Sequence, residues 1–296
     1  MAYDLAIIGS GGAGFAAAIA ATTRGHSVVM IERSTMGGTC VNVGCIPSKA
    51  LLAAADARHV AAGQVFPGIA TSAGPVDMAA LVAGKAALVD MLRHEKYEDL
   101  VTDYGWEVRR GEARFVEGPA LEVDGERIEA EHYLVATGAS PWVPPVPGLE
   151  ETGYLTSTTA LELDHLPESM IVVGGNYVGL ELGQLFARLG SAVTLVEALP
   201  RLAAGEEPEI SEVIEGVLAD EGVDVWTSAS LAKVSREGEK IVATVTGGRE
   251  VRAEAILMAT GRRANTTGLG LDVVGVKVGP TGAVVVIALA EIHQTC

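Results

Sequence analysis

The chain has 296 residues, 49% of them hydrophobic and only 4% aromatic, with 36 glycines, a mixture suited to tightly packed α/β layers. Its formal net charge of −17 argues against nucleic acid or an anionic membrane as a partner. The start, Met1-Ala2-Tyr3-Asp4, has no basic leader, and no apolar run reaches the roughly 18 residues of a membrane span, so a cytoplasmic protein of two domains is expected.

Taken in order, the mostly apolar run 3–8 reads as a buried strand leading into Gly9-Ser10-Gly11-Gly12-Ala13-Gly14, which fits G-x-G-x-x-G. A helix from Phe15 to Thr23, a stop at Gly25 and a second strand from Ser27 to Ile31 follow, the strand ending in Glu32. Gly9 permits the tight turn, Gly11 lets the backbone approach a pyrophosphate, and Gly14 lets helix and strand pack closely. The phosphates of a nucleotide would rest on the helix N-terminus, and Glu32 would accept from ribose hydroxyls.

Next comes Gly37-Gly38-Thr39-Cys40-Val41-Asn42-Val43-Gly44-Cys45-Ile46-Pro47-Ser48-Lys49, which carries two of the three cysteines. Pro47 and the alanine/leucine run behind it place Cys45 at or just before a helix N-terminus, where the helix dipole and Lys49 favour a thiolate. A close thiol pair of this kind passes two electrons by thiol–disulfide exchange. A zinc half-site is disfavoured, because the spacing is wide, Cys296 is remote and the six histidines are scattered. A purely structural disulfide is disfavoured for a chain expected in the cytosol.

The pattern from Met78 to about Asp103 is helical, closed by Gly105. Short strands at 106–109, 113–116, 121–123 and 126–128 read as a meander, followed by a strand at 132–136 that ends in Thr137-Gly138. The proline-rich segment Pro141–Gly148 reads as a linker. Beyond it the opening pattern recurs. Strand 170–173, Gly174-Gly175-Asn176-Tyr177-Val178-Gly179, a helix over 180–189 and strand 192–196 ending in Glu197 repeat the first motif 165 positions on, with Asn176 in place of the middle glycine. A later strand, 255–258, ends in Ala259-Thr260-Gly261, matching Ala136-Thr137-Gly138. Two Rossmann-like modules are therefore expected, with a domain of residues 1–148, a second of 149–268, and 269–296 starting a return to the first. Two nucleotide sites with a cysteine pair suggest a relay, in which a hydride donor and a flavin feed electrons to a dithiol.

The stretch Gly38–Lys49 resembles the redox-active signature of the pyridine nucleotide-disulfide oxidoreductase family. Within that family, the stretches at 95–100, 111–115, 154–158 and 174–181 most resemble the mercuric reductases, with dihydrolipoamide dehydrogenases the near alternative. The resemblance implies two FAD/NAD(P)-binding domains and Hg(II) as substrate, reduced to Hg(0). By position, it implies Cys45 as the thiol beside the flavin and Cys40 as the thiol that meets substrate, both serving as Hg(II) ligands. It implies that Lys49, paired with Glu181, sits at the flavin's reactive edge, and that Tyr177 covers the nicotinamide pocket. Read alone, Lys49 is a helix-surface cation and Tyr177 a core aromatic. Gly9, Gly11, Ala13, Gly14, Glu32, Gly38, Thr39, Ala113, Thr137 and Gly138 would line FAD. Gly174, Asn176, Tyr177, Val178, Gly179, Glu197, Arg201 and Gly261 would hold NADPH or NADH. Glu197 favours NADH, whereas Arg201 offers a phosphate contact and the relatives of this kind use NADPH; NADPH is the expectation.

The family continues past a strand like 283–286 to a Gly-Asp flavin motif and a dimerisation domain with a catalytic His–Glu pair, whereas this sequence closes with Ile287–Cys296. His293 beside Glu291 does not replace that pair on spacing. The expectation is a truncated or divergent end, lower flavin affinity and some bare apolar surface. A non-catalytic remnant that still binds nucleotide or metal is the reading from another class.

Overall fold

Mostly apolar runs mark strands covered on both faces, and those at Tyr3–Ile8 and Ser169–Val173 are inner strands of two parallel sheets. The computed structural model describes residues 3–63 and 67–286. The features noted at Glu291, His293 and Cys296 lie outside the described residues. None of the described helices is long and apolar enough to cross a membrane. Contacts group the described chain into two units, residues 3–40, 92–140 and 262–286 in one, and 41–63, 67–91 and 141–261 in the other.

In the first unit the parallel sheet runs Glu107–Arg110, Val28–Glu32, Tyr3–Ile8, Ala130–Val135. Helix Gly12–Thr23 makes the crossover between its first two strands in sequence. The 106–109 run, expected in the meander, instead joins this sheet, with Glu107 opposite Val29, and the antiparallel insert has three strands, Ala113–Val116, Ala120–Val123 and Glu126–Ile128. Ile7, Met30 and Ile31 are fully buried and each contributes about 1.5–3 kcal/mol by leaving water.

The second unit repeats this plan. Its parallel order is Asp224–Trp226, Ala192–Val196, Ser169–Val173, Ala255–Met258, and its three-stranded insert is Leu231–Glu237, Lys240–Val245 and Glu250–Ala253. In both units the insert falls between the third and last parallel strands. The Pro141–Gly148 stretch is pinned rather than loose. Trp142 N donates to Gly261 O and Val234 N to Pro147 O, while a Cβ on Gly148 would stand 1.9 Å from Val234 O.

Helix Cys45–Gly63 lies within the second unit apart from its links in sequence. Pro47, Leu51 and Ala55, four residues apart, form its buried stripe, and Leu51 and Ala55 share a core with Leu182, Leu185, Phe186 and Leu189 of helix Tyr177–Leu189. The helical stretch expected over 78–103 is present as Met78–Arg93, a π-helical turn His94–Glu98 and Asp99–Tyr104, closed by Gly105 in the left-handed region.

Candidate active site: two glycine turns and a cysteine helix

At the first turn the chain leaves Tyr3–Ile8 through Gly9, whose φ is +108°. A Cβ there would stand 2.4 Å from Ala136 O, and one on Gly14 would stand 2.3 Å from Gly9 O. Only glycine lets the strand ends and the helix close so tightly. Gly38, at φ +64°, crosses over the same turn, since its Cβ would meet Gly11 Cα at 2.6 Å. Gly37 N also donates to Ser10 O at 3.0 Å. The segment carrying Thr39 and Cys40 is thereby laid against the first glycine turn. Thr39 and Cys40 are exposed, and Thr39 Oγ1 accepts from Arg262 at 3.4 Å.

Gly11 is different. A Cβ there meets nothing closer than Gly38 Cα at 3.7 Å, and one on Gly12 meets nothing within 4 Å. Gly11 is also the N-cap of helix Gly12–Thr23, with no side chain capping the helix. Open space over uncapped N–H groups at a helix N-terminus suits an anionic group, so the residues present fit a flavin pyrophosphate. Ala13, in the first helical turn, is exposed.

Glu32 ends the second strand and is 7% exposed. Its Oε2 accepts from Ser10 N at 3.0 Å and Ser10 Oγ at 2.6 Å, and its Oε1 from Ser34 N at 2.7 Å and Ser34 Oγ at 3.1 Å. Burial opposes the charge, but the serine donors outweigh it and hold the carboxyl below the usual glutamate range. Ser10 and Ser34 were not singled out by the sequence, although Glu-x-Ser after a strand was a usable sign. Ala113 is buried at the start of the insert, two residues beyond Gly111, whose N–H donates to Glu32 O at 3.1 Å. Thr137 O and Gly138 O, at the end of the last parallel strand, accept from Asn265 Nδ2 and N, each at 2.9 Å.

The second turn is built the same way. Gly174 has φ +115° and its Cβ would stand 2.4 Å from Ala259 O, while a Cβ on Gly179 would stand 1.8 Å from Gly174 O. Gly261, at φ +123°, closes the Ala259-Thr260-Gly261 stretch, where Thr260 Oγ1 donates to Trp142 O at 2.7 Å. Asn176 stands where the first turn has Gly11 and caps helix Tyr177–Leu189, its Oδ1 accepting from Tyr177 N at 2.8 Å. Tyr177, 61% exposed, is no core aromatic. Its hydroxyl donates to Glu206 in a short hydrogen bond, which is the main reason its pKa is raised. No sequence pattern announced Glu206. Val178 is exposed beside it. Glu197 Oε2 accepts from Gly175 N at 2.5 Å and Oε1 from Leu199 N at 2.7 Å. Arg201 is bound to its own loop, donating to Ser211 Oγ and Ala204 O, each at 2.8 Å.

The cysteine helix starts at Cys45, which is exposed, and its first backbone bond runs from Ser48 N to Gly44 O at 3.0 Å. Pro47 thus lies in the first turn, where a missing N–H costs nothing. Lys49 Nζ donates to Glu181 Oε1, and about two turns further on Arg188 Nη1 meets Asp56 at 3.0 Å and Arg58 Nη1 reaches Arg188 O at 2.8 Å. Lys49 and Glu181, 132 positions apart, are brought together by two parallel-packed apolar stripes. Among the described residues no group of three or more His, Cys, Asp and Glu side chains is arranged to hold a metal ion.

The model of the pyridine nucleotide-disulphide oxidoreductases matches residues 3–291. A mercuric reductase of Streptomyces lividans is 57% identical over 96% of this chain, which spans 62% of that protein. One from Lysinibacillus sphaericus is 46% identical over 96% of the chain, spanning 53% of that protein. The HOCl-induced flavoprotein disulfide reductase RclA of Escherichia coli, solved as a Cu(II) complex, superposes with a TM-score of 0.85 at 31% identity. It covers 97% of this chain, which matches 62% of RclA. The chain thus spans a little over half to three-fifths of these relatives, and it belongs to the pyridine nucleotide-disulphide oxidoreductase family.

Proposed function

We propose that this chain carries the nucleotide and dithiol machinery of a flavin-dependent NAD(P)H oxidoreductase that reduces Hg(II) to Hg(0). FAD would be held by residues 1–148 and NAD(P)H by 149–268, with the chain returning toward the first from 269. The observation that carries the reading is Gly38 lying against Gly11, which starts the Cys40–Cys45 segment on the glycine turn suited to a flavin pyrophosphate. The flavin, when bound, supplies a two-electron relay between nicotinamide and cysteines.

The chain's own residues then divide the work. Gly9, Gly11 and Gly14 admit the pyrophosphate to the helix N-terminus, and Lys49, oriented by Glu181, offers positive charge where negative charge develops. Cys45, at a helix N-terminus, is the thiol that exchanges with the electron donor, and Cys40 is the thiol open to substrate. One electron pair opens the disulfide to two thiolates. These soft ligands take Hg(II). A second pair ends on the metal, which leaves as Hg(0) while both thiolates remain. Tyr177, held by Glu206, must turn aside to admit the nicotinamide.

The test is an anaerobic absorbance titration of the purified protein with FAD and NAD(P)H, followed by Hg(II)-dependent and lipoamide-dependent oxidation of the reduced nucleotide. The expected result is a bound flavin, bleaching by the nucleotide, and turnover with Hg(II) that Cys40→Ser and Cys45→Ser each abolish. Turnover with lipoamide alone would move the assignment to a dihydrolipoamide dehydrogenase-like enzyme. A colourless protein that still binds Hg(II) would reduce it to a non-catalytic binder.

A further inference from the structure

Away from both glycine turns, we propose a second ligand site, a cavity at the amino ends of the parallel strands of the second unit that takes a small organic acid. The cavity measures about 760 Å³, within the range of about 300–1,000 Å³ usual for small-molecule sites. It is walled by the segment 152–155, the loop 163–168, the hairpin turn 236–241 and the start of strand Ala255–Met258, all within one unit. Glu168 stands just before strand Ser169–Val173 and Glu254 just before Ala255–Met258. Gly174 and the Ala259–Gly261 stretch follow the carboxyl ends of the same strands, roughly 15 Å on, so the cavity is separate from the nucleotide turn. Its interior is apolar because it opens between the two cores of the unit. Leu155 and Leu163 pack on one core, and the buried Ile241 and Ile256 belong to the other.

Two cations on the hairpin select the acid. Arg236 is anchored through Nη2 to Thr152 O at 2.9 Å and through Nη1 to Glu239 O at 3.3 Å, both neutral carbonyls. Among the described residues no carboxylate pairs with it, so three of its five N–H donors and its charge are unmatched. Lys240 Nζ meets Glu168 Oε2 at 3.5 Å, and Glu168 is 86% exposed, so a ligand carboxylate displaces this loose pair at little cost. The carboxylates around the cavity do not make a cation site. Glu254 Oε2 already accepts from Glu168 N at 2.9 Å, Glu168 faces Lys240, and Glu239 stands exposed at the hairpin turn. A planar carboxylate matches the guanidinium fork, and such charge-assisted bonds are the strong kind. The occupant is therefore a monocarboxylate whose apolar body fills the space between Leu155, Leu163, Ile241 and Ile256.

The experiment is a calorimetric titration of the full chain with naphthaleneacetate and, as its opposite in charge, naphthylmethylamine, each with and without saturating NAD+. The acid is expected to bind at least about tenfold more tightly than the amine, with a dissociation constant that NAD+ leaves unchanged. Arg236→Gln weakens the acid about tenfold or more, and Arg236→Lys, which keeps the charge but not the fork, weakens it less. Where Arg236→Gln fails to fold, Lys240→Gln and amide hydrogen exchange of the unaltered chain decide. The acid is expected to bind Lys240→Gln more weakly and to slow exchange in residues 152–155 and 236–241. Failure of the acid to bind, binding no tighter than the amine's, displacement by NAD+, indifference to both glutamine variants, or protection of other segments alone overturns the proposal.

Discussion

Among single residues, Gly11 and Gly14 separate what the backbone needs from what a ligand needs. Gly14→Ala drives a methyl to 2.3 Å from Gly9 O, and the helix and strand must part to receive it. A loss of about 2–3 kcal/mol is expected, read by thermal or urea unfolding. Gly11→Ala adds a methyl in ordinary contact with Gly38 at a φ of −81°, which alanine adopts freely, so stability should change by less than about 1 kcal/mol. Its effect should fall on FAD affinity, weakened about tenfold or more, because the methyl would stand where the proposed pyrophosphate approaches. Normal FAD affinity in Gly11→Ala would remove the nucleotide from that turn. The glycine spacing was legible in the sequence because each glycine answers to a carbonyl or to a ligand. The hydroxyls of Ser10 and Ser34 and the carboxylate of Glu206 were not, because serine and glutamate are common on turns and only folding chooses their partners.

Among elements, helix Cys45–Gly63 shows the same divide. Its start was readable from Pro47 and the alanine run, and its buried stripe from spacing. Its partner was not, since an apolar stripe of Leu51 and Ala55 fits many grooves, and Tyr177–Leu189 lies far off in sequence. The strand Glu107–Arg110 was misassigned for a related reason. Its polar alternation suits an edge of either sheet, and only pairing with Val28–Glu32 decides. The ion pairs along the cysteine helix make a testable contrast. Lys49 and Glu181 are both substantially exposed, so Lys49→Met should change stability by under about 1 kcal/mol while slowing reduction of bound flavin. Arg188, half-buried against the nearly enclosed Glu221, should matter more to folding, with Arg188→Ala costing about 1–3 kcal/mol by leaving Glu221 without its cation. Equal effects on flavin reduction from both variants would deny Lys49 a chemical role.

At the scale of the molecule, each unit has its own apolar clusters. One pair is built on Ile8, Ile31 and Phe115 and on Ile7, Phe15 and Met30, the other on Leu182, Phe186 and Leu195 and on Ile171, Val196 and Ile256. Folding units with separate cores unfold as separate steps unless something couples them. Differential scanning calorimetry is therefore expected to resolve two transitions, one raised by FAD and the other by NAD(P)H, each by mass action on the unit that binds. One transition that both ligands raise together would mean a single cooperative body. The internal repeat foretold two modules of one design, and the structure extends it to the strand order and the three-stranded insert.

That likeness has a use beyond description. Ala136 O presses on Gly9 as Ala259 O presses on Gly174, so the two turns close on the same backbone contacts although the residues between their end glycines differ, the middle position included. Asparagine there shields its own helix end, whereas glycine leaves the end bare. Each half of the protein thus serves as the control for the other, and any trait found at one turn alone belongs to its guest rather than to the scaffold.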